Sequence, residues 1–158
     1  MALHGASHKL LTSFMSTDYV EYVCTFETFA PDTRYPVRWL DVEDDYDLVR
    51  AFWKVDLPQD EWRSFKDMGY TYAAVVEDGA IVSMAAVWTY SDEAWEVAAV
   101  STRPDAQGKG YAKSFVSFIT QHILAQGRRA TCSTHVTNIA MQRTAARVGF
   151  RAKSDNLP

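Results

Sequence analysis

The chain has 158 residues, of which 47% are hydrophobic and 13% aromatic, enough to fill the core of one domain. Its formal net charge of -4 gives no basic surplus, so neither nucleic acid nor a membrane surface is expected as a partner. The two cysteines, Cys24 and Cys132, lack the spacing of a zinc site or a disulfide framework, which favours a reducing, cytoplasmic location. No secretory signal or membrane span is predicted.

The first part of the chain carries the weakest pattern, and we predict an N-terminal extension of residues 1–36 before a main domain of residues 37–158. Residues 21–29 are rich in Tyr, Val, Thr and Phe, which favours a strand. A lone strand needs a partner. Either the main sheet or a second subunit would supply it, which leaves a homodimer open.

A short strand at residues 37–40 and two helices are predicted next. Four apolar residues at helical spacing indicate the first helix: Val42, Tyr46, Val49 and Trp53. Residues 43–45 are acidic and fall in its first turn, where they complement the helix dipole, so we interpret them as a solvated helix start and not as a metal site. The second helix is predicted from Asp56 as N-cap and Pro58 in the first turn. Its inward residues would be Trp62, Phe65 and Met68.

An antiparallel meander is predicted after these helices. Residues 71–77 and 80–90 favour strands, and Asp78-Gly79 between them predicts a hairpin because both residues tolerate positive φ. A third strand at residues 95–102 completes the meander and ends before a loop that contains two glycines.

The second half of the chain reads as alternating strands and helices. A helix begins near Tyr111 and ends at Gly127, and a strand follows at residues 129–136. Asn138 is the predicted N-cap of a last helix that stops at Gly149, and a final strand starts at the next residue. The order after the meander is therefore strand, helix, strand, helix, strand.

The loop at residues 107–112 has the features of an anion site. Backbone N–H groups at a helix start bind anions, and Gly108 and Gly110 allow a phosphate to approach the main chain. A P-loop would need a hydroxyl residue after a Gly-Lys pair, whereas Gly110 is followed by a tyrosine and an alanine. A dinucleotide fingerprint would need a third glycine where Lys113 stands. Neither of these two phosphate sites fits.

The pattern that remains is Gln/Arg-x-x-Gly-x-Gly/Ala, matched by Gln107, Gly110 and Ala112, and here the sequence resembles the GNAT superfamily of N-acetyltransferases. The resemblance covers residues 37–153, and residues 108–112 and 138–150 are most similar to its FR47-like branch. It implies a mixed α/β fold of α+β arrangement, with a central, mostly antiparallel twisted sheet and helices on both faces. It also implies transfer of an acetyl group from acetyl-CoA to a primary amine of a small molecule, an amino acid or a peptide.

The resemblance further implies which residues bind CoA. Backbone amides of residues 108–113 would hold the pyrophosphate, main-chain groups of residues 100–102 would pair with the pantetheine arm, and Asn138 would contact the same arm. The full predicted set is Val100, Ser101, Thr102, Gln107, Gly108, Lys109, Gly110, Tyr111, Ala112, Lys113 and Asn138. An ordinary helix N-cap is an equally good interpretation of Asn138.

Acetyl transfer needs a base, because a free alkylamine has a pKa of about 10 and is charged at neutral pH. Glu96, on the strand that leads to the loop, is the predicted catalytic base; the alternative is a solvent-facing strand carboxylate. Relatives commonly carry a tyrosine as general acid seven residues after the asparagine, but here that position is Ala145. Water, or a side chain of the preceding strand, would then protonate the thiolate. The candidates are Ser133, Cys132 and His135.

Aromatic residues are abundant, and their spacing places most of them in the core. They are Tyr35, Trp39, Trp53, Trp62, Trp88, Tyr90 and Trp95. Trp88 and Tyr90, at the end of the hairpin, are the two that could line an acceptor site. The missing tyrosine leaves open an acyl-CoA sensor without turnover, and a third reading is an interaction domain whose loop is only a turn.

Overall fold

A computed structural model describes residues 18–153 of the chain, so residues 1–17 of the predicted extension lie outside it. The strands are β1 Tyr19–Cys24, β2 Arg38–Trp39, β3 Tyr70–Glu77, β4 Ala80–Trp88, β5 Ala94–Thr102, β6 Arg129–His135 and β7 Arg151–Ala152. The helices are α1 Tyr46–Trp53, α2 Gln59–Asp67, α3 Tyr111–Ala125 and α4 Ile139–Val148, and a short 3₁₀ turn, Pro104–Ala106, precedes α3. Within residues 18–153 no helix has both the length and the apolar character needed to cross a lipid bilayer.

All seven strands belong to one sheet with the order β2-β3-β4-β5-β6-β1-β7. Strands β2 to β5 are antiparallel neighbours, β5 and β6 are parallel, and β1 is antiparallel to both of its neighbours. The predicted mixed α/β fold with a mostly antiparallel sheet is confirmed.

Strand β1 lies between β6 and β7, the two strands from the C-terminal part of the described chain. On one edge Tyr19 lies opposite His135 and Cys24 opposite Ala130, and on the other edge Tyr22 lies opposite Ala152. Of the two partners that the sequence leaves open, β1 therefore takes the main sheet. On the edge away from β6, β1 is paired with β7 only at Tyr22 and Val23.

Helices cover both faces of the sheet. Successive side chains of a strand point to opposite faces, so each face carries its own apolar cluster for helices to pack on. Ala73 and Ala85 contribute to the cluster beneath α3 and α4. Their neighbours Ala74 and Ala86 contribute to the cluster beneath α1 and α2. Small side chains at the centre of the sheet allow both layers of helices to pack closely.

Several predicted turns and caps are confirmed because a few adjacent residues determine each of them. Asp78 and Gly79 have φ values of 52° and 74° in the hairpin turn. Gly149 ends α4 with a φ of 106°, and the Asn138 side chain begins the same helix by accepting a hydrogen bond of 3.1 Å from the Met141 N–H.

Three predictions about the early helices are wrong. Asp56 is not the N-cap of α2, because that helix begins only after Pro58 and has no side-chain cap. Met68 is not inward; it is 47% exposed because α2 ends one residue before it. Asp45 is buried and not solvated, since its carboxylate accepts hydrogen bonds of 2.8 and 2.9 Å from the Arg38 guanidinium. This contact holds the pKa of Asp45 below its ordinary value.

Candidate functional site

The two parallel strands at the centre of the sheet lie side by side only where they begin. Ala94 to Glu96 of β5 pair with Arg129 to Thr131 of β6, and beyond Glu96 and Thr131 the two strands no longer pair with each other. We call the gap between residues 97–102 and residues 132–135 the fork. Ligands of open α/β sheets bind outside the carboxyl ends of parallel strands, and the fork opens toward those ends.

A β-bulge bends β5 just after its paired part. The register between β4 and β5 shifts between Met84 and Ala86, and on β5 Ala99 has a φ of 53° at this point. The left-handed conformation is unfavourable for alanine, and a bulge bends and twists the strand that carries it. The bulge therefore bends β5 in the part of the strand that borders the fork.

The loop after β5 presents bare backbone. Gly108 and Gly110 have φ values of 78° and 89°. A β-carbon added at Gly108 would meet no atom within 4 Å, so a ligand can approach the main chain there. Gly110 is the N-cap residue of α3 and provides no side-chain cap for the first N–H groups of that helix. The fit to a phosphate-bearing ligand is good, because uncapped N–H groups at a helix start attract anions.

A short segment before β2 holds the start of α3 in place. The N–H groups of Asp32 and Tyr35 donate to the hydroxyls of Ser117 and Ser114 at 2.8 and 3.1 Å. The Tyr35 hydroxyl donates to the carbonyl of Lys109 in the loop, at 2.8 Å. The sequence pattern does not predict these contacts. The sequence signal for these contacts is a pair of serines, three residues apart in the predicted helix. In the structure both serines are almost fully buried.

Two cations lie at the start of α3, and only one of them has an acidic partner. The Nζ atom of Lys113 lies 3.1 Å from Oδ2 of Asp32. The Arg34 N–H and this ammonium together hold the pKa of Asp32 below its usual range. The Arg34 guanidinium lies over the Tyr35 ring at 5.2 Å, and its Nη1 is 3.6 Å from the position of a β-carbon at Gly110. Among residues 18–153 no ion pair includes Arg34.

Most of the other predicted CoA-binding residues direct their side chains into the protein. The Thr102 hydroxyl lies 2.6 Å from that of Ser83, and Gln107 donates to the Thr102 carbonyl at 3.4 Å. The buried Tyr111 donates from its hydroxyl to Glu77 at 2.8 Å, a contact that raises the pKa of Tyr111. Two are partly buried against the main core, Val100 and Ala112, and three are exposed, Ser101, Gln107 and Lys109. What this region presents outward is therefore chiefly its backbone.

Asn138 follows β6 and is the N-cap of α4. Strand β6 thus leads into α4 in the same way that β5 leads into α3. Its side chain caps α4, so the N-cap interpretation is confirmed. Because β5 and β6 are parallel, the N-termini of both helices lie at the same edge of the sheet. Asn138 thus stands at the edge toward which the fork opens, with the loop at residues 107–110 across from it.

Glu96 lies at the closed end of the fork. It is partly buried and lies opposite Trp88 on β4 and Thr131 on β6. Burial raises the pKa of Tyr70, and the negative charge of Glu96 adds to this effect, so the carboxylate and the phenol are neighbours. The predicted base therefore lies where β5 and β6 separate.

The three candidates for a general acid differ in their surroundings. Cys132 is buried in the main core, and burial raises the pKa of its thiol strongly, so it is a poor proton donor. Ser133 and His135 alternate with Cys132 along β6 and are partly exposed. The Nδ1 atom of His135 accepts a hydrogen bond of 3.2 Å from the Thr137 N–H. Ala145 is fully buried in α4 and provides no polar group.

Aromatic rings line the face of the sheet that carries Glu96. Tyr70 and Trp88 stack with ring planes 3° apart and centroids 5.6 Å apart. Tyr90 continues the row at 5.2 Å from Trp88, and its hydroxyl lies 3.1 Å from that of Thr131. Tyr70 is buried, whereas Tyr90 is 42% exposed. The row therefore runs from the core to the surface beside the fork. A pocket of about 450 Å³, lined in part by Tyr70, adjoins its buried end.

Comparison with solved structures relates this architecture to known acetyltransferases. A GNAT-family protein from Novosphingobium aromaticivorans superimposes with a TM-score of 0.68 at 21% identity over 85% of this chain. A GNAT-family acetyltransferase from Colwellia psychrerythraea gives 0.70 at 16% identity over 93% of this chain. This chain spans only 59% and 58% of those two proteins. AAC(6')-Iy, in complex with the bisubstrate analogue CoA-S-monomethyl-acetylneamine, gives 0.59 at 14% identity, covering 78% of this chain and 94% of that one.

Comparison of sequences gives the family. No curated protein matches the chain significantly. The sequence model of the acetyltransferase (GNAT) family, in contrast, matches residues 26–150, which include the loop, the fork and both helices that begin at its open edge. The chain therefore belongs to the acetyltransferase (GNAT) family.

Proposed function

We propose that the protein is an N-acetyltransferase that transfers the acetyl group of acetyl-CoA to a primary amine of a small molecule, an amino acid or a peptide. The observation that carries this proposal is the fork beside the uncapped start of α3, with bare backbone at Gly108. The structure of AAC(6')-Iy with a CoA-containing bisubstrate analogue supports it, because that protein has a similar fold.

In this proposal the acyl donor is held mainly by backbone. The N–H groups of residues 108–113 bind the pyrophosphate, and Arg34 adds a positive charge above them. The free edge of β5 at residues 100–102 pairs with the pantetheine arm as an added strand would. Asn138 contacts the same arm from the other side of the fork.

The chemistry that the bound donor supplies is an activated acetyl group. Glu96, at the closed end of the fork, accepts the proton of the incoming ammonium directly or through a water, so that the amine can attack. The new C–N bond forms as the C–S bond breaks, the electron pair of that bond leaves with the sulfur, and the nitrogen gives up its second proton to water as the amide forms. Ser133, His135 or water then returns a proton to the thiolate.

Two finer assignments belong to the same proposal. We place the protein in the FR47-like branch on residues 108–112 and 138–150. We also place it in the cytoplasm, a location supported by Cys24 and Cys132, which are both buried free thiols.

A second function, an acyl-CoA sensor without turnover, is favoured by one observation. The position where relatives carry the tyrosine acid holds Ala145, which is fully buried. A sensor would bind acetyl-CoA in the same way but would release no thiol with any amine.

Donor binding is tested by titrating acetyl-CoA calorimetrically into the Gly108→Ala and Gly79→Ala variants. The two glycines have φ values of 78° and 74°, and neither has an atom within 4 Å of an added β-carbon, so both variants carry the same backbone cost. We expect Gly108→Ala to weaken binding about tenfold or more, because its methyl group lies where the phosphate approaches. Gly79→Ala should bind normally. Equal affinities would remove the loop from the site, and no binding to the wild type would exclude both CoA functions.

Turnover is tested by measuring thiol release from acetyl-CoA across a panel of amines. We expect Glu96→Gln to retain its affinity for acetyl-CoA and to lose rate by about a hundredfold, the usual contribution of a general base. Unchanged turnover would remove Glu96 from this role. Donor binding without thiol release for any amine would support the sensor.

A further inference from the structure

The aromatic row ends at the surface in Tyr90, a side chain that is exposed but held in place by its neighbours. Tyr90 is 42% exposed, yet its ring packs on Trp88 and its hydroxyl is hydrogen-bonded to Thr131. An exposed ring that is already held loses little conformational freedom when a ligand lies on it. Its flat, apolar faces suit another flat, apolar group.

A carboxylate lies on the same face of the sheet, next to these rings. Glu96 and Trp88 are directly opposite each other on antiparallel strands, so their side chains leave the same face at a separation of about 5 Å. Thr131, to which Tyr90 is bound, is opposite Glu96 on the other side. Glu96 is thus bordered by a row of rings that runs from Tyr70 to Tyr90. A carboxylate beside aromatic faces is an environment that attracts an ammonium group.

We propose, on the basis of the acetyltransferase function proposed above, that the acceptor is a primary amine on an aromatic body with no carboxylate next to the amine. The ammonium group lies at Glu96 and the aromatic body lies on Trp88 and Tyr90. This selects one class among the small molecules, amino acids and peptides that the fold alone allows.

The charge of the site excludes α-amino acids from this class. An acceptor whose amine reaches Glu96 would bring an α-carboxylate within a few ångströms of a like charge, and that repulsion is strong in a partly buried site. Of the cations near this face, Arg129 lies on the closed side of the fork opposite Ala94, and Arg63 and Lys66 line the pocket at the buried end of the row, beside Tyr70. The rings add no positive charge.

The test compares three acceptors on the full-length protein at saturating acetyl-CoA. Phenylethylamine has the predicted body and charge, phenylalanine adds a carboxylate, and diaminobutane lacks the ring. We expect kcat/KM for phenylethylamine to exceed each of the others by about tenfold or more. A higher or equal value for phenylalanine or diaminobutane would overturn the inference while leaving the proposed function intact. If no amine gave thiol release, both would be wrong.

Variants then locate the ring contact. We expect Tyr90→Leu and Trp88→Leu each to raise the KM of phenylethylamine about five- to tenfold without changing the KM of acetyl-CoA, because they remove a stacking surface. Tyr90→Phe should retain most of the wild-type KM. The control is Phe26→Leu, which replaces an aromatic residue that is 70% exposed beyond the end of β1. An equal loss for all three acceptors in Tyr90→Leu would overturn the inference.

Discussion

Gly149 packs directly on the backbone of Thr28: a β-carbon at Gly149 would lie 2.0 Å from the Thr28 carbonyl oxygen. We therefore expect Gly149→Ala to lower the free energy of unfolding by about 3 kcal/mol or more, because it adds a clash to the cost of a left-handed alanine. Gly127→Ala is the matched control, since Gly127 has a φ of 76° and no atom within 4 Å of an added β-carbon. It should lose about 1 kcal/mol. Urea unfolding of both variants measures the difference, and equal losses would contradict the packing.

The ion pair between Arg38 and Asp45 should make stability depend on acid pH. The pKa of Asp45 is lowered in the folded protein from an ordinary value of 3.8, so its contribution is fully present above that value and is lost as the pH falls through the folded pKa. We expect Asp45→Asn to cost about 1–2 kcal/mol at pH 7, a modest loss because the Arg38 side chain is 49% exposed. At pH 3 the variant and the wild type should approach each other in urea unfolding. Asp44→Asn, at an exposed neighbouring position, is the control; a loss at Asp45 that is the same at both pH values would point to packing instead.

The bulge at Ala99 should tolerate glycine and reject a β-branched side chain. With a φ of 53°, valine at this position is expected to cost about 1–2 kcal/mol in unfolding free energy and to weaken acetyl-CoA binding, because the end of β5 would straighten. Ala99→Gly should keep the wild-type affinity. Ala152→Val serves as the comparison, since Ala152 is an exposed strand residue outside the left-handed region. Normal binding by Ala99→Val would show that the bulge does not shape the donor site.

Arg34 should contribute to donor binding through the pyrophosphate alone. We expect Arg34→Gln to raise the dissociation constant of CoA about five- to tenfold, the loss of one charge-assisted contact, and to leave that of S-acetylpantetheine unchanged. Arg147→Gln, an exposed arginine in the last turn of α4, should affect neither ligand. Calorimetric titration with both ligands is the measurement. Equal weakening of CoA and S-acetylpantetheine would show that Arg34 supports the fold and does not contact the phosphates.

The features that the sequence predicts well are those that a few adjacent residues determine. Asp78 and Gly79 set a hairpin by their own φ angles, and Asn138 caps the helix that starts beside it. Gly108 leaves the backbone of the loop open, with no atom within 4 Å of an added β-carbon. For these positions backbone preference and structure agree because no distant contact competes with the local one.

What the sequence does not predict depends on residues that are far apart along the chain. The acidic run at residues 43–45 has the composition of a solvated helix start, and only the position of Arg38 makes Asp45 a buried partner. Asp32 and Tyr35 contact α3 through serines that carry no site signature. The row from Tyr70 to Tyr90 requires the register of two strand pairs before its rings meet Glu96.

The position of β1 has a consequence for how the protein assembles. β6 is joined to β5 by a short parallel pairing, and along its other edge it is joined to β1, which lies far earlier in the chain. Contacts between segments so distant in sequence form slowly, because a long stretch of chain must be closed before they stabilise anything. One side of the fork is therefore completed only when β1 and β6, two segments far apart in the sequence, have met. A nascent chain that has already formed the hairpin and α3 still lacks a finished cleft.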